Sequence, residues 1–117
     1  MRSAIVQTQY HFKLFVTGAT ARSSRAISTL KAICEEYLSG PCLLEVIDIY
    51  QQPEEARKER ILAAPTVLRL LPAPVRRSTG DLSDPMRLLK RLGLSIPDHL
   101  TDGKAKIKKR PKLARSR

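Results

Sequence analysis

The stretch from Ile61 to Asp84, ILAAPTVLRLLPAPVRRSTGDLSD, limits what this chain can fold into more than any other. A short apolar run, Thr66 to Leu71, has Pro65 directly in front of it and Pro72 and Pro74 directly behind. Proline fixes its own φ and lacks a backbone donor, so Pro65 can start a strand but cannot sit inside a central one. The three X-Pro bonds are also three slow cis/trans switches in one short region. A basic pair follows, Arg76 and Arg77, and then Gly80-Asp81-Leu82-Ser83. Gly80 gives a permissive backbone, and Ser83 is the expected N-cap of a last helix over about Asp84 to Leu92. Met86, Leu88, Leu89 and Leu92 form its apolar side.

Upstream, Tyr10 to Thr17 reads as a strand inside a sheet: Phe12, Leu14 and Val16 alternate with His11, Lys13 and Phe15, so both faces are partly apolar. Gly18 breaks it. Thr20 or Ser23 can cap a helix to about Leu38, with Ile27, Leu30, Ile33, Cys34, Tyr37 and Leu38 recurring at intervals of three and four. Ser39-Gly40-Pro41 ends that helix. Leu43 to Tyr50 is a second strand, apolar enough to be central. Strand, helix, strand in this order reads as a parallel βαβ unit with a right-handed crossover. Gln51 to Leu62 is charged and gives a second helix, with Pro53 tolerated in its first turn. The fold class is α/β, in the thioredoxin order.

At 117 residues the chain makes one domain with one modest core. It has no Trp, so aliphatic side chains must supply that core. No run reaches the ~20 apolar residues of a membrane span, and the N-terminus lacks a secretory apolar region, so a cytoplasmic protein is expected. Cys34 and Cys42, eight positions apart, form neither C-x-x-C nor a metal quartet. Reduced core thiols are expected in that compartment, with a disulfide as the alternative.

The charge is uneven. Residues 101–117 carry eight basic side chains and one acidic one, a net of +7 out of the chain's +11. Division into an arm over 1–9, a domain over 10–96 and a basic, disordered tail over 97–117 follows. Lys104, Lys106, Lys108, Lys109, Arg110 and Lys112 could release counterions from a phosphate backbone. Without aromatics between them they cannot stack on bases, and a merely solubilising tail is the alternative.

Catalytic signals are absent from the motifs. Thioredoxin chemistry needs a thiolate at the first helix N-terminus, which here reads Gly18-Ala19-Thr20-Ala21-Arg22-Ser23. No glycine-rich phosphate loop, H-E-x-x-H or G-x-S-x-G occurs. A non-enzyme is expected, with no cofactor and no metal, so binding remains. Arg25, Arg60, Arg69, Arg76 and Arg77 are candidate surface contacts, against the plain alternative of a solvated basic face.

Ala64-Pro65-Thr66, Leu71-Pro72-Ala73-Pro74-Val75-Arg76-Arg77 and Gly80-Asp81-Leu82-Ser83 resemble the KaiB family of bacterial clock proteins. The resemblance runs back ungapped through Tyr10-x-x-Lys13-Leu14-Phe15-Val16-x-Gly18 and Glu45-Val46-Ile47-Asp48-Ile49, and covers roughly Tyr10 to Leu94. It implies a thioredoxin-like domain with a cis bond before Pro65, a KaiC-type ATPase ring as partner, and KaiA-type proteins or clock histidine kinases as further partners. It implies self-association as a dimer or tetramer, and partner contacts at Arg25, Arg69, Arg76 and Arg77. It also implies a C-terminal half, from about Pro53, that switches between two folds. Pro65, Pro72 and Pro74 would slow that exchange, and Arg91 and Gly93 would influence its balance. Three departures stand out: the loop over Gly18–Ser23, the segment Arg91-Leu92-Gly93-Leu94-Ser95-Ile96, and a basic tail where the family ends in a short acidic one. Together they suggest a divergent paralogue.

Overall fold

A computed structural model describes residues 8–95. The expected N-terminal arm through residue 7, the end of the domain at Ile96 and the tail over 97–117 lie outside the described residues.

Strand β1 (Tyr10–Val16) puts Phe12, Leu14 and Val16 on one face and Phe15 on the other, all buried. Helix α1 (Ala21–Ala32) follows, and one π-helical turn (Ile33–Tyr37) extends it. Thr20 is the N-cap: its Oγ1 accepts the Ser23 amide at 3.0 Å. Then come β2 (Cys42–Asp48), the six-residue α2 (Pro53–Lys58), β3 (Thr66–Leu71), β4 (Arg76–Thr79) and α3 (Pro85–Arg91).

The sheet order is β2-β1-β3-β4. β1 runs parallel to β2 and antiparallel to β3, and β3 is antiparallel to β4. One face carries the main core: Phe12, Leu14, Val16 and Val67 pack with Ala26, Leu30 and Ile33 from the first helix and Leu88, Leu89 and Leu92 from the last. The other face carries a smaller cluster, Phe15, Ile47, Ala56 and Leu68, which α2 covers. Lys13 on that face reaches Glu55 of α2 at 3.4 Å.

Three expectations need correction. β2 is an edge strand rather than a central one, and Leu43 and Val46 stand 54% and 44% exposed. Its apolar content marks an open edge, which composition cannot tell from a buried position. Asp84, not Ser83, caps α3: its Oδ1 accepts the Met86 amide at 3.0 Å. Ser83 is occupied one step earlier, donating its amide and hydroxyl to Asp81. The cysteines are not free thiols. Cys34 and Cys42 form a disulfide, with Cα atoms 5.7 Å apart. Gly40 has φ +132, and a Cβ there would lie 2.3 Å from the Thr8 carbonyl oxygen, so only glycine lets the chain fold back so tightly.

The bonds before Pro65, Pro72 and Pro74 are all cis, which at Pro65 agrees with the expected start of the third strand.

Candidate functional site: the arginines of the β3–β4 hairpin

β3 and β4 place three of the four candidate contact arginines. In an antiparallel ladder, paired residues share a face and neighbours along a strand point oppositely. Arg76 pairs with Arg69 on the α3 face, and Arg77 pairs with Leu68 on the α2 face. The basic pair therefore splits, one guanidinium to each side of the sheet.

Each side offers the end of a helix, where carbonyls lack intrahelical partners and the helix dipole is negative. On the α2 side, Arg77 donates to the carbonyls of Glu59 at 2.8 Å and Arg60 at 3.2 Å. On the α3 side, Arg76 donates to Arg91 O at 3.4 Å and Arg69 donates to Leu92 O. Arg69 also donates to Pro74 O at 2.6 Å, so it ties the proline segment to the last helix.

Both helices finish with the same backbone motif. Ile61 N–H bonds Ala56 O at 2.9 Å and Arg60 N–H bonds Arg57 O at 3.1 Å; Leu94 N–H bonds Leu89 O at 2.9 Å and Gly93 N–H bonds Lys90 O at 3.0 Å. This is the Schellman pattern, which needs a left-handed residue just past the cap. Gly93 fills that position at φ +69, whereas on α2 a non-glycine, Arg60, holds φ 56. A Cβ on Gly93 would come within 3.2 Å of Arg76 Cζ and 3.4 Å of Arg69 Nη1, so the missing side chain lets both arginines reach the helix end.

Arg69 is the correction among the expected surface contacts. It is 5% exposed, so its guanidinium is an internal brace rather than a free contact. Burial, and next the neighbouring Arg76 charge, hold its pKa below the ordinary guanidinium value. Its Nε is buried with no partner among the described residues. Arg76, Arg77 and Arg91 are exposed. Arg91 donates to Asp81 O at 3.3 Å. Pro65 is buried at the start of β3, Pro72 is half-buried and Pro74 is exposed.

Arg25 stands apart. With Arg22, Pro65 and the Gly80–Ser83 turn it lines a cleft of about 480 Å³, at the end of the sheet where β3 begins and β4 ends. Arg22 was not expected here, although its three-residue spacing from Arg25 on one helix was a usable signal. Across the cleft, hydrogen bonds from Ser83, with help from Arg22 and Arg87, hold the Asp81 carboxyl below its ordinary pKa. The structure thus gathers Arg69, Arg76, Arg91 and Gly93 at one end of β4, sends Arg77 to the opposite face and leaves Arg25 at the other end.

Lys104, Lys106, Lys108, Lys109, Arg110 and Lys112 lie outside the described residues. Among the described residues, no helix is long and apolar enough to cross a membrane, and no group of three or more His, Cys, Asp or Glu side chains is placed to hold a metal.

The KaiB domain family model matches residues 13–94. The circadian clock oscillator protein KaiB of Prochlorococcus marinus subsp. pastoris is 46% identical over 92 residues, 79% of this chain and 84% of that protein. The protein of the same name from Nostoc punctiforme is 45% identical, over 80% of this chain and 89% of the relative. In fold, the chain is similar to the N-terminal domain of Synechococcus elongatus SasA, with a TM-score of 0.59 at 24% identity, covering 80% of this chain and 90% of that one.

Proposed function

As this chain belongs to the KaiB family, we propose that it is a non-enzymatic, cytoplasmic regulator that binds a KaiC-type ATPase ring and modulates its phosphorylation cycle. The family match over residues 13–94 carries this reading. Two features of the fold support it. Arg76 is an exposed cation at the end of α3 with no carboxylate within 4 Å among the described residues, and Arg25 presents another from the α1 cleft. Arg69 positions Arg76 rather than touching the partner. Arg77 reaches a partner only by giving up its bonds to α2. The open β2 edge, with Leu43 and Val46 exposed, supports self-association as a dimer or tetramer.

Fold switching belongs to the same reading. From Pro53 onward, Pro65 opens β3 at one end of the sheet, while Pro72, Pro74, Arg91 and Gly93 lie toward the other, and a second packing of that half would break the Arg69 and Arg76 ties together. If only a fraction of molecules is thioredoxin-like, apparent affinity for the ring falls by that fraction. KaiA-type proteins and clock histidine kinases would then meet this state on the ring.

Association with the cognate purified ATPase, followed by biolayer interferometry in ATP and in ADP, tests the proposal. Arg76→Glu and Arg25→Glu should each weaken binding about tenfold or more while circular dichroism stays unchanged, as for truncation at the centre of an interface. Unchanged affinity in both variants removes this surface. No binding by the wild-type chain in either nucleotide removes the partner itself.

A further inference from the structure

The Cys34–Cys42 disulfide is placed where solution can reach it. It joins the π-helical turn Ile33–Tyr37 to the first residue of β2, and both cysteines are half-buried. Their Cα atoms, 5.7 Å apart, stand at the ordinary spacing for such a bond, so it can close without backbone movement. Two backbone hydrogen bonds frame the same junction: Leu38 N–H bonds Ile33 O at 3.1 Å, and Tyr10 N–H bonds Pro41 O at 2.9 Å. They hold the two ends near each other whether or not the sulfurs are joined.

A cleft of about 360 Å³ opens beside the bond, lined by Cys42 with Tyr10, His11, Pro41, Leu43 and Leu71. Cys34 does not line it. The volume is that of a small-molecule site. β2 is an edge strand, so among the described residues no further strand covers Cys42 from outside. An entering thiolate therefore meets Cys42 before Cys34. Structural disulfides are the ones that resist reduction, and exposed ones are the labile and regulatory ones. In the cytoplasm a disulfide is usually transient and redox-sensing.

We propose that Cys34–Cys42 is a thiol–disulfide exchange site, at which a thiol donor entering the Cys42 cleft opens the bond and loosens the end of the first helix from the β2 edge. The donor's thiolate attacks Cys42 Sγ, a mixed disulfide forms on Cys42, and Cys34 leaves as a thiolate. A second donor thiolate then attacks the donor sulfur of that mixed disulfide and releases Cys42. Water supplies a proton to each cysteine at neutral pH. The chain gains two electrons and two protons, and two donor thiols become one donor disulfide. The chain is the substrate of this exchange and not its catalyst. The proposal takes the cytoplasmic compartment from the function proposed above and is independent of the ATPase partner.

The experiment incubates the oxidised full chain in native buffer with reduced glutathione or with reduced thioredoxin, quenches samples with N-ethylmaleimide and weighs them by mass spectrometry. Two alkylations per chain should accumulate, at a rate that changes less than about twofold between 0 and 1 M urea, as for local opening. A bond that opens only on global unfolding would react about fivefold faster or more in 1 M urea. The melting temperature should fall by roughly 10 °C on reduction and recover when glutathione disulfide restores the bond. Cys34→Ser should take up glutathione at Cys42 about tenfold faster than Cys42→Ser takes it up at Cys34, because access decides which sulfur is attacked. Reduction by glutathione identifies a small thiol as donor, and reduction that needs thioredoxin identifies a dithiol protein; either supports the site. Resistance to both donors, a rate that follows global unfolding, equal uptake by the two variants, or an unchanged melting temperature would each overturn it. The wild-type kinetics decide even if a variant unfolds, and the isolated chain gives the same result whichever compartment it comes from.

Discussion

The ends of α2 and α3 are built alike and finished differently. Each closes in a Schellman turn, and each receives an arginine from β4. At α2 the arginine is single, its two carbonyls lie at 2.8 and 3.2 Å, and the left-handed residue is Arg60. At α3 two arginines arrive, one of them buried with an Nε that has no partner among the described residues, and the left-handed residue is glycine. The α2 end is self-contained and tolerates a strained residue. The α3 end is crowded with charge and needs glycine to admit it. A helix end that does no more than cap resembles the first; one that also presents charge outward resembles the second.

Three substitutions would break or sharpen this contrast. Arg69→Met should cost most, about 3 kcal/mol, because it leaves the Leu92 and Pro74 carbonyls without their charged donor. Thermal unfolding should show a drop of roughly 10 °C or more for a domain of this size. A loss under ~1 kcal/mol would mean that the desolvation of the buried cation cancels its hydrogen bonds. Gly93→Ala should cost about 1–2 kcal/mol, since a Cβ is forced into the left-handed region and toward Arg76 Cζ. Urea titration measures it, and an unchanged midpoint would mean that the α3 end adapts as easily as the α2 end. Arg60→Gly should have the smallest effect and the opposite sign, a gain of about 0.5 kcal/mol. Relief at φ 56 there exceeds the added freedom of the unfolded chain. A loss in the same titration would show that the Arg60 side chain contributes to the α2 end, despite its exposure.

Much of the architecture was legible because local signals agreed with one another. Alternation placed β1, the three-and-four spacing placed α1, and Pro65 marked the first residues of β3. What failed was whatever depends on a neighbour far along the chain. β2 is apolar on both faces, yet only topology decides whether another strand lies beyond it. The Cys34–Cys42 pairing joins the end of the first helix to the start of β2, and a compartment rule argued against it. Arginine is normally exposed, so a buried Arg69 had no local sign; its reason is the carbonyl of Leu92, 23 positions away. The resemblance to the KaiB family was legible from short motifs and is met by the family match. The geometry of the candidate arginines was not, because Arg76 and Arg77 read as one basic pair and the sheet divides them.

That division makes the hairpin intolerant of mispairing. If β4 slid by one position along β3, every side chain would change faces. Arg77 would turn toward α3 and leave the Glu59 and Arg60 carbonyls, while Arg76 would turn away from Gly93. The hydroxyl contact between Thr66 and Thr79, 2.9 Å at the far end of the ladder, would be lost in the same step. Two helix ends and a threonine pair thus act as a checksum on one four-residue strand: an alignment error is paid three times over, and a strand too short to hold its place by ladder bonds alone has a single acceptable position.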